Sequence, residues 1–451
     1  MITRNGFVIS NQDCDPVSLK KELTVRPIIE GDYGFSPPPF SIWRKIADGY
    51  IIPRYYAAEK FPTIIPIDTS ADFCHCNNIT FNGRLSKELR QDEAIERGLK
   101  AFHETGGGVL SLPCGFGKTV CALAFSAKLK VRTMIVVHKE FLANQWVEKI
   151  REFCPDATIG RVQGSIFDIE KDFVIALIQT VTMREFHETA FDSIGLLIVD
   201  EAHHTPSKCF SQIMFKINPK YTLGLTATPE RKDGLTRLLY WYLGPEFFRI
   251  ERTDQKSTWV KTLYFFNDAF KQAPPINRAG KINMAEMVAT IIEIIPRNDL
   301  ILRSVNQALS EGRKILVLTG LRSHCFHLQN ILGNTLSGLY IGGLKEAELL
   351  ESSKKQVIIA TFQLANEGLD IPALDTVILA TPKSDIKQSI GRIMRESPGK
   401  KNDPLIIDIV DHWSIFFSMY NKRKKVYHAG GFKMDDESNP KNPVEDKCMF
   451  I

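Results

Sequence analysis

Short apolar runs alternate with helix-like stretches along residues 86–252. The runs at residues 133–138, 173–180, 195–204 and 221–229 are rich in β-branched and other large hydrophobic side chains. Near-continuous apolar runs of this length are typical of parallel strands that are buried on both faces. Strands that alternate with helices indicate βαβ units. The pattern therefore predicts a parallel-sheet domain over residues 86–252.

The same alternation returns in the second half of the chain. Its apolar runs are residues 314–320, 336–343, 356–363, 376–382 and 405–411. They predict a second parallel-sheet domain over residues 293–432, and the polar stretch between the two domains, residues 253–292, is interpreted as a linker. We expect ligands at the carboxyl ends of the strands in both sheets.

The two ends of the chain differ from this pattern. Residues 1–85 mix prolines with short apolar runs, which favours short strands and turns because proline interrupts helices and central strands. We predict a small N-terminal accessory domain there, β-rich or α+β. Residues 433–451 are polar and without pattern, and we expect a flexible tail. The predicted class is α/β, with two tandem parallel-sheet domains after the small one.

Composition indicates the cellular compartment of the protein but does not indicate its function. The net charge of +5 in 451 residues permits nucleic-acid binding but does not argue for it. The nine cysteines are odd in number and irregularly spaced, which indicates free thiols in a reducing, intracellular compartment. An apolar run of membrane-spanning length is absent from the sequence, so we expect no membrane segment.

The sequence PCGFGKT at residues 113–119 has the context of a phosphate-binding loop. An apolar run enters it and a helix-like stretch leaves it. Glycines let backbone N–H groups point at a phosphate, Lys118 would reach the β- and γ-phosphates, and Thr119 would bind Mg²⁺. The alternative is a Gly-rich turn before an ordinary helix. The predicted nucleotide-binding residues here are Pro113, Cys114, Gly115, Phe116, Gly117, Lys118 and Thr119.

Two adjacent carboxylates follow a later apolar run. Asp200 comes directly after a predicted strand, where an acid can supply the second oxygen ligand of Mg²⁺. Glu201 is placed to orient the attacking water as a general base. A solvated turn would carry the same residues, but their position downstream of Lys118 favours an ATP-hydrolysing site.

Two arginines lie three residues apart in QSIGRIMRE, residues 388–396 of the second half. Arg392 and Arg395 share one face of a helix and can stabilise charge on a transferring phosphoryl group. A surface helix is the alternative. If a second domain supplies these arginines, catalysis depends on domain closure, and ATP turnover becomes relative motion of the domains.

With these residues the sequence resembles the superfamily 2 helicases. PCGFGKT (113–119), DEAH (200–203), TAT (226–228), ATFQLANEGLDIP (360–372) and QSIGRIMR (388–395) resemble motifs I, II, III, V and VI, in the family order. The resemblance extends over about residues 85–425. It implies that both parallel-sheet domains are RecA-like and that ATP and Mg²⁺ are the cofactors.

The resemblance also implies roles for individual residues. Gln91 matches a glutamine that reads adenine, although the usual Pro-Tyr before it is missing. Thr226 and Thr228 would couple the ATP state to domain movement. In the second domain, Gly368, Asp370 and Gln388 would lie at the ATP site. The residues expected to hold the nucleic-acid backbone are Gln179, Thr180, Thr319 and Thr361.

TATPERKDGL, residues 226–235, resembles the XPB-like and UvsW-like group and the transcript-release helicases of poxviruses, but a lysine replaces the middle acid of the XPB Arg-Glu-Asp. This likeness implies a monomeric 3′-to-5′ DNA helicase of transcription or repair on duplex, forked or RNA–DNA hybrid substrates. RNA polymerase and transcription or repair factors are its candidate partners. If the protein is viral, a virion or a cytoplasmic or nuclear replication site is expected. A branch-migration motor and a non-hydrolysing scaffold are the alternatives.

Overall fold

The fold is described from a computed structural model, which covers residues 2–3, 6–27, 38–62, 74–76, 78–113, 115–204, 208–217, 219–231, 233–251, 258–278, 280–369, 371–394 and 400–435. The chain divides into two compact units, residues 1–251 (unit 1) and residues 252–451 (unit 2). Each is α/β and built on a mainly parallel sheet, which confirms the predicted class.

The N-terminal part of unit 1 is a small antiparallel sheet with two helices. Four strands pair in the order β1-β2-β6-β5, and β3 pairs with β4. The elements are β1 (Ile2–Thr3), β2 (Gly6–Ser10), α1 (Pro16–Glu22), β3 (Thr24–Val25), β4 (Phe40–Ser41), β5 (Arg44–Ile46), β6 (Gly49–Ile52) and α2 (Arg54–Lys60). The α+β form of the expected small domain is present.

This small sheet packs on the rest of unit 1 through α2. The Tyr56 ring meets the Trp241 ring edge to face at 4.9 Å, and Trp241 Nε1 donates to Glu59 Oε2 at 3.1 Å. Tyr55 shares a hydrogen bond of 2.9 Å with Thr222 of the parallel sheet. Because one hydrophobic cluster contains side chains of both parts, the small sheet belongs to the same compact unit.

The large sheet of unit 1 has the strand order β10-β9-β11-β8-β12-β13-β7-β14 and is parallel except for β10. Its elements are α3 (Gln91–Glu104), β7 (Gly107–Ser111), α4 (Lys118–Leu129), β8 (Thr133–Val137), α5 (Glu140–Phe153), β9 (Ile159–Gln163), β10 (Ile166–Phe167), β11 (Phe173–Leu177), α6 (Ile178–Met183), β12 (Leu196–Val199), α7 (Lys208–Met214), β13 (Tyr221–Thr226), α8 (Thr236–Leu243) and β14 (Glu246–Arg249). Successive strand residues such as Ile135 and Val136 enter separate hydrophobic clusters, as expected for a sheet covered on both faces.

Unit 2 has a seven-stranded parallel sheet in the order β17-β18-β16-β19-β20-β15-β21. Its elements are β15 (Trp259–Phe265), α9 (Met284–Ile292), α10 (Ile295–Ser310), β16 (Ile315–Thr319), α11 (Arg322–Leu332), β17 (Ser337–Tyr340), α12 (Glu346–Lys354), β18 (Val357–Thr361), α13 (Phe362–Gly368), β19 (Thr376–Leu379), α14 (Lys387–Gly391), β20 (Leu405–Asp411), α15 (Ile415–Ala429) and β21 (Lys433–Asp435). Successive strand residues again enter different hydrophobic clusters, one on each face of the sheet, as Leu316 and Val317 do.

The stretch interpreted as a linker contains regular structure that the pattern did not predict. Strand β15 pairs in parallel with β20 along its whole length, and α9 contributes Met287 and Ile291 to a hydrophobic cluster of unit 2. Polar residues interrupt β15, and Trp259 at its start is 44% exposed. The strand on its other side, β21, has three residues and pairs only with the first three residues of β15. Strand β15 therefore lacks a full-length neighbour on that side, and it lacks the continuous apolar run of a central strand.

Candidate functional site

The loop between β7 and α4 has the backbone of a phosphate cradle. Gly115 and Gly117 have φ values of +89° and +79°, a backbone region that residues with a Cβ rarely adopt. A Cβ on Gly117 would lie 2.4 Å from Gln91 Nε2, so a side chain here would displace the Gln91 amide. The first turn of α4 follows directly and presents its free N–H groups at the loop. Cys114 lies outside the described residues.

Gln91 begins α3 and supports this loop. Its Nε2 donates to the backbone oxygen of Phe116 at 3.0 Å, and its Oε1 accepts from Ser86 N at 2.9 Å. The side chain is almost fully buried. The structure therefore places Gln91 against the back of the loop, in contact with the chain that would surround a nucleotide.

Lys118 is the first residue of α4, and Thr119 follows it in the same turn. Lys118 Nζ donates to Leu112 O at 3.3 Å across the mouth of the loop. Its charge opposes the rise in the pKa of Asp200 that burial and Glu201 cause, as expected for a lysine near that acid. This arrangement joins the loop after β7 to the acids after β12.

Asp200 follows β12 and is half-buried. Trp146 Nε1 donates to its Oδ2 at 2.9 Å, and the backbone N–H of Glu201 donates to its Oδ1 at 2.9 Å. Burial and the neighbouring charge of Glu201 raise the pKa of Asp200 to about 6, although Trp146 and Lys118 oppose the shift. Asp200 therefore carries a negative charge that its protein surroundings only partly compensate.

These groups fit a magnesium ion held mostly by substrate and water. Mg²⁺ prefers oxygen ligands and is usually bound by one or two protein groups plus phosphates. The Thr119 hydroxyl and the Asp200 carboxylate are such oxygen donors, and a cation would relieve the poorly compensated charge of Asp200. In the part of the chain that the structure describes, no group of three or more His, Cys, Asp and Glu side chains could hold a metal by itself.

A polar chain leads from the acids to the end of β13. The backbone of Glu201 has a φ of +48°, which is uncommon for residues other than glycine. This angle turns the chain sharply after the strand. His203 Nδ1 lies 3.5 Å from Glu201 Oε2 and 3.1 Å from Thr226 Oγ1. Thr226 Oγ1 also accepts from Thr228 N at 3.1 Å. The predicted coupling residues thus contact the acid turn through a histidine to which the sequence had assigned no role.

Arg231 forms a second link between the same two segments. Its guanidinium donates to both carboxylate oxygens of Asp233 and to the backbone oxygen of His203. Burial acts to raise the pKa of Asp233, but the hydrogen bond and charge of Arg231 outweigh it and hold that pKa below its usual value. Lys232, the base that replaces an acid of the XPB-like pattern, lies outside the described residues. The sequence assigned no role to Trp146, and none to His203 apart from its place in DEAH, because their partners Asp200 and Thr226 lie 54 and 23 residues away.

Gln179 and Thr180 lie in the first turn of α6, not at the end of a strand, because β11 ends at Leu177. Gln179 Nε2 donates to His138 O at 3.0 Å, just beyond β8. Thr180 Oγ1 accepts from Gly164 N at 3.0 Å. Both residues therefore connect neighbouring segments at the carboxyl edge of the unit 1 sheet.

In unit 2, Thr319 and Thr361 are the last residues of β16 and β18 and are directly opposite each other in the sheet. Thr361 is partly exposed. The Thr319 side chain is fully buried, and its hydroxyl shares a hydrogen bond of 2.9 Å with His324 Nδ1. A contact between this hydroxyl and a nucleic-acid phosphate would require that bond to break, so Thr361 is the better placed of the two.

The remaining predicted residues of unit 2 lie near α13 and α14. Gln388 is in α14 and partly exposed, and Arg392 follows that helix. Arg392 is 7% exposed, and its Nη1 donates to Leu369 O at 2.9 Å, directly after α13. Gly368 is the last residue of α13. Asp370 and Arg395 lie outside the described residues.

Comparison with known proteins assigns this architecture to a family. The family described as "Type III restriction enzyme, res subunit" matches residues 85–231. "Putative ATP-dependent RNA helicase L396" of Acanthamoeba polyphaga mimivirus is 32% identical over 441 residues, which cover 94% of this chain and 84% of that protein. "Putative helicase 161L" of Invertebrate iridescent virus 6 is 27% identical, and the alignment covers 94% of this chain and 97% of that protein. "Putative ATP-dependent RNA helicase QP509L" of African swine fever virus is 24% identical, and the alignment covers 74% of this chain and 70% of that protein.

Among solved structures, a variant of S. cerevisiae Dbp5 bound to RNA and ADP BeF3 is similar in fold. The TM-score is 0.52 at 15% identity, with 78% of this chain and 95% of that chain covered. This likeness confirms the predicted tandem RecA-like architecture. No helix in the described part of the chain is long and apolar enough to cross a membrane.

Proposed function

This chain belongs to the superfamily 2 helicases and is an ATP-hydrolysing enzyme, and we propose that it is a 3′-to-5′ DNA helicase or translocase of transcription or repair. The observation that supports the motor most directly is the meeting of Lys118, Asp200 and Glu201 at one edge of the unit 1 sheet. In the proposal Lys118 binds the β- and γ-phosphates, and Thr119 and Asp200 hold Mg²⁺. Glu201 orients the attacking water. Bound Mg²⁺ supplies positive charge to the phosphates.

Around these residues the loop from Pro113 to Gly117 would surround the phosphates with the backbone N–H groups that follow the proline, which has none of its own. Gln91 would hold the loop in shape and reach the base from its place beside Phe116. In unit 2, Gln388, Arg392 and Arg395, together with Gly368 and Asp370, would complete the site. The arginines would stabilise the charge of the transferring phosphoryl group.

Nucleic acid would bind the carboxyl edges of both sheets through Gln179, Thr180 and Thr361. Short polar side chains and backbone N–H groups bind phosphates without reading the base sequence, which suits a motor that moves along any sequence. Thr226 and Thr228 would transmit the state of the ATP site, since Thr226 contacts His203 beside Glu201.

The choice of DNA rests on TATPERKDGL and its likeness to the XPB-like and UvsW-like group and the poxvirus transcript-release helicases. In this segment Arg231 pairs with Asp233 and also donates to the backbone oxygen of His203, which connects the segment to the DEAH turn. The second candidate is an RNA helicase, because two of the viral relatives carry that name. A branch-migration DNA motor is a third reading, with the same chemistry. In each case the proposed setting is a reducing intracellular compartment.

The test is a substrate panel. ATPase stimulation and strand displacement would be measured on single-stranded DNA, single-stranded RNA, duplex DNA, forks with a 3′ or a 5′ tail, and RNA–DNA hybrids. We expect the largest stimulation with DNA and displacement from a 3′-tailed fork. Stimulation by RNA alone would replace the DNA proposal with the RNA candidate, displacement from a 5′ tail alone would reverse the polarity, and migration of four-way junctions without displacement of forks would favour the branch-migration reading.

Two variants control for contaminating activity. Lys118→Ala should abolish stimulated hydrolysis on every substrate. Glu201→Gln, which keeps the size of the side chain and removes its charge, should bind ATP and turn it over slowly. Fast turnover by Glu201→Gln would remove Glu201 from the role of base.

A further inference from the structure

Trp146 connects the interior of unit 1 to the acid that is proposed to hold Mg²⁺. It lies in α5 among the buried residues of that helix, and its side chain is 2% exposed. It packs in the same hydrophobic cluster as Ile135 of β8 and Ile198 of β12. Close packing restricts the indole to one position, and Asp200 directly follows β12.

Two N–H groups hold the Asp200 carboxylate, one at each oxygen. Trp146 Nε1 donates to Oδ2 at 2.9 Å, and the backbone N–H of Glu201 donates to Oδ1 at 2.9 Å. A carboxylate oxygen has two acceptor positions, so each oxygen keeps one position for a further partner. Because hydrogen bonds at both oxygens oppose rotation of the carboxylate, the remaining positions keep a defined direction.

A purely structural role is the alternative, because a buried indole N–H usually has a hydrogen-bond partner. A backbone oxygen is sufficient for that purpose, as the oxygen of Gln272 is for Trp413 in unit 2. At Trp146 the acceptor is instead an acid of the ATP site, and a hydrogen bond to an ionised carboxylate favours the ionised form. Mg²⁺ binds such oxygens in near-ideal octahedral geometry, so the charge and the direction of this acid both matter to the metal.

We infer that Trp146 is a positioning residue for Mg²⁺, and that its indole N–H holds the Asp200 carboxylate in the orientation that binds the metal. Trp146 acts through Asp200 and is not itself a ligand, because an indole N–H is a donor only. The inference rests on the proposed function, in which Thr119 and Asp200 hold Mg²⁺, and deepens it by naming the residue that orients one of the two.

The test measures how strongly Mg²⁺ improves nucleotide binding. The affinity for AMP-PNP, which is not hydrolysed, would be measured by calorimetry with excess Mg²⁺ and with EDTA. The ratio of the two affinities is the Mg²⁺ enhancement. Trp146→Phe keeps an aromatic ring and removes the donor, so the enhancement should fall about tenfold, while the affinity in EDTA stays within about twofold of wild type.

Trp241→Phe is the matched control. Trp241 is also buried in unit 1, and its Nε1 donates to a carboxylate oxygen of Glu59, which is not an acid of the ATP site. Both substitutions leave a space where part of an indole was and should cost some stability. Only Trp146→Phe should lower the Mg²⁺ enhancement, so this readout separates positioning from packing.

Two further measurements do not depend on the phenylalanine variant alone. Site-specific replacement of Trp146 by 3-benzothienylalanine keeps both fused rings and lacks the N–H, and it should lower the Mg²⁺ enhancement as Trp146→Phe does. Addition of Mg²⁺ to the AMP-PNP complex should change the tryptophan emission of wild type and of Trp241→Phe, because a cation arrives beside the acid that Trp146 contacts. Trp146→Phe should lose most of this change.

The possible outcomes are distinguishable. An unchanged Mg²⁺ enhancement in both Trp146 variants would overturn the positioning role and leave the ATP site as proposed. An equal loss of affinity with Mg²⁺ and with EDTA would also overturn it, because Trp146 would then support the nucleotide site as a whole. A wild type whose AMP-PNP affinity does not depend on Mg²⁺ would overturn the assignment of the metal to Thr119 and Asp200, and the inference with it.

Discussion

Both parallel sheets carry carboxylates on or directly after a strand, half-buried in unit 1 and buried in unit 2, and the partners of these carboxylates differ. In unit 1, Asp200 accepts hydrogen bonds from Trp146 and from its own chain, and burial with Glu201 raises its pKa to about 6. In unit 2, Asp408 and Asp411 of β20 are each bound at both oxygens by a buried arginine, Arg423 and Arg297. One acid is left poorly compensated, and the other two are neutralised within the fold.

From this difference we expect Asp200 to interact with a ligand, whereas Asp408 and Asp411 stabilise the fold. A buried carboxylate without a full counter-charge is unfavourable, and it persists where a bound group completes its surroundings. In the two buried bidentate pairs, each carboxylate has a full counter-charge within the fold and leaves no uncompensated negative charge for a ligand. Arg423 also shows this within the basic run of α15, since it is buried against Asp408 while Lys422 and Lys425 are exposed.

Arg392 of unit 2 should behave as a catalytic arginine. Its motif position in QSIGRIMR matches the arginine that the family supplies from the second domain, and its Nη1 donates to the backbone oxygen of Leu369. We predict that Arg392→Ala binds ATP but hydrolyses it about 10³-fold more slowly, the lower range for arginine fingers. Stimulated ATPase rates and equilibrium ATP binding would be measured together, with the exposed Arg278→Ala as the control. Unchanged hydrolysis would assign Arg392 to the fold.

Breaking a neutralised pair should destabilise the protein. Asp411→Asn leaves the buried Arg297 without its full partner and should lower the free energy of unfolding by about 3–5 kcal/mol. Chemical denaturation followed by tryptophan fluorescence would measure it. The double change Arg297→Met with Asp411→Leu should recover much of the loss, because it removes both charges. Glu351→Gln, in an exposed pair with Lys354 on α12, should have little effect. An equal loss in both single variants would contradict the comparison.

A buried histidine should make stability depend on pH. His324 is held between Thr319 and Asn298, and burial, with the charges of Arg297 and His327, lowers its pKa to about 3. The unfolded chain protonates this residue near pH 6.5, so its contribution is present above that pH and is lost as the pH falls towards 3. Between pH 7 and pH 5 we expect about 2 kcal/mol of destabilisation from this residue.

The difference between wild type and His324→Gln in unfolding free energy, followed from pH 7 to pH 5, would isolate this effect. The exposed His428→Gln on α15 is the control and should follow wild type at each pH. A His324→Gln variant that loses as much stability as wild type over this range would show that His324 does not titrate as described.

The weakest expected effect concerns His203, which touches Glu201 and Thr226. Its replacement by alanine should leave basal hydrolysis within twofold. It should reduce the stimulation by nucleic acid roughly fivefold, since coupling residues of this kind contribute about 1 kcal/mol. The ratio of stimulated to basal ATPase measures it. A fall in both rates by the same factor would make His203 a support of Glu201 rather than a coupling residue.

Sequence reasoning succeeded where the signal is local. The runs that became β8, β12, β16 and β20 are apolar because each strand is covered on both faces, and Gly117 must be glycine for its own backbone angle. It failed for β15, because the neighbouring strand β21 pairs with only part of its length. It also failed for Gln179 and Thr180, because α6 begins directly after β11 without a proline or glycine to mark the change from strand to helix.

The order of apolar runs and the residue types in the motifs determined the two parallel sheets, the Gly-rich loop after β7 and the acids after β12. These depend on periodicity and on a few adjacent residues. Only the tertiary structure decided which charges are neutralised, because Arg297 and Asp411 are 114 residues apart and meet only when β20 and α10 pack together. It likewise placed Trp146 on Asp200, His203 on Thr226, and the β9–β10 turn on Thr180. Long-range packing selects such partners, and no local pattern records them.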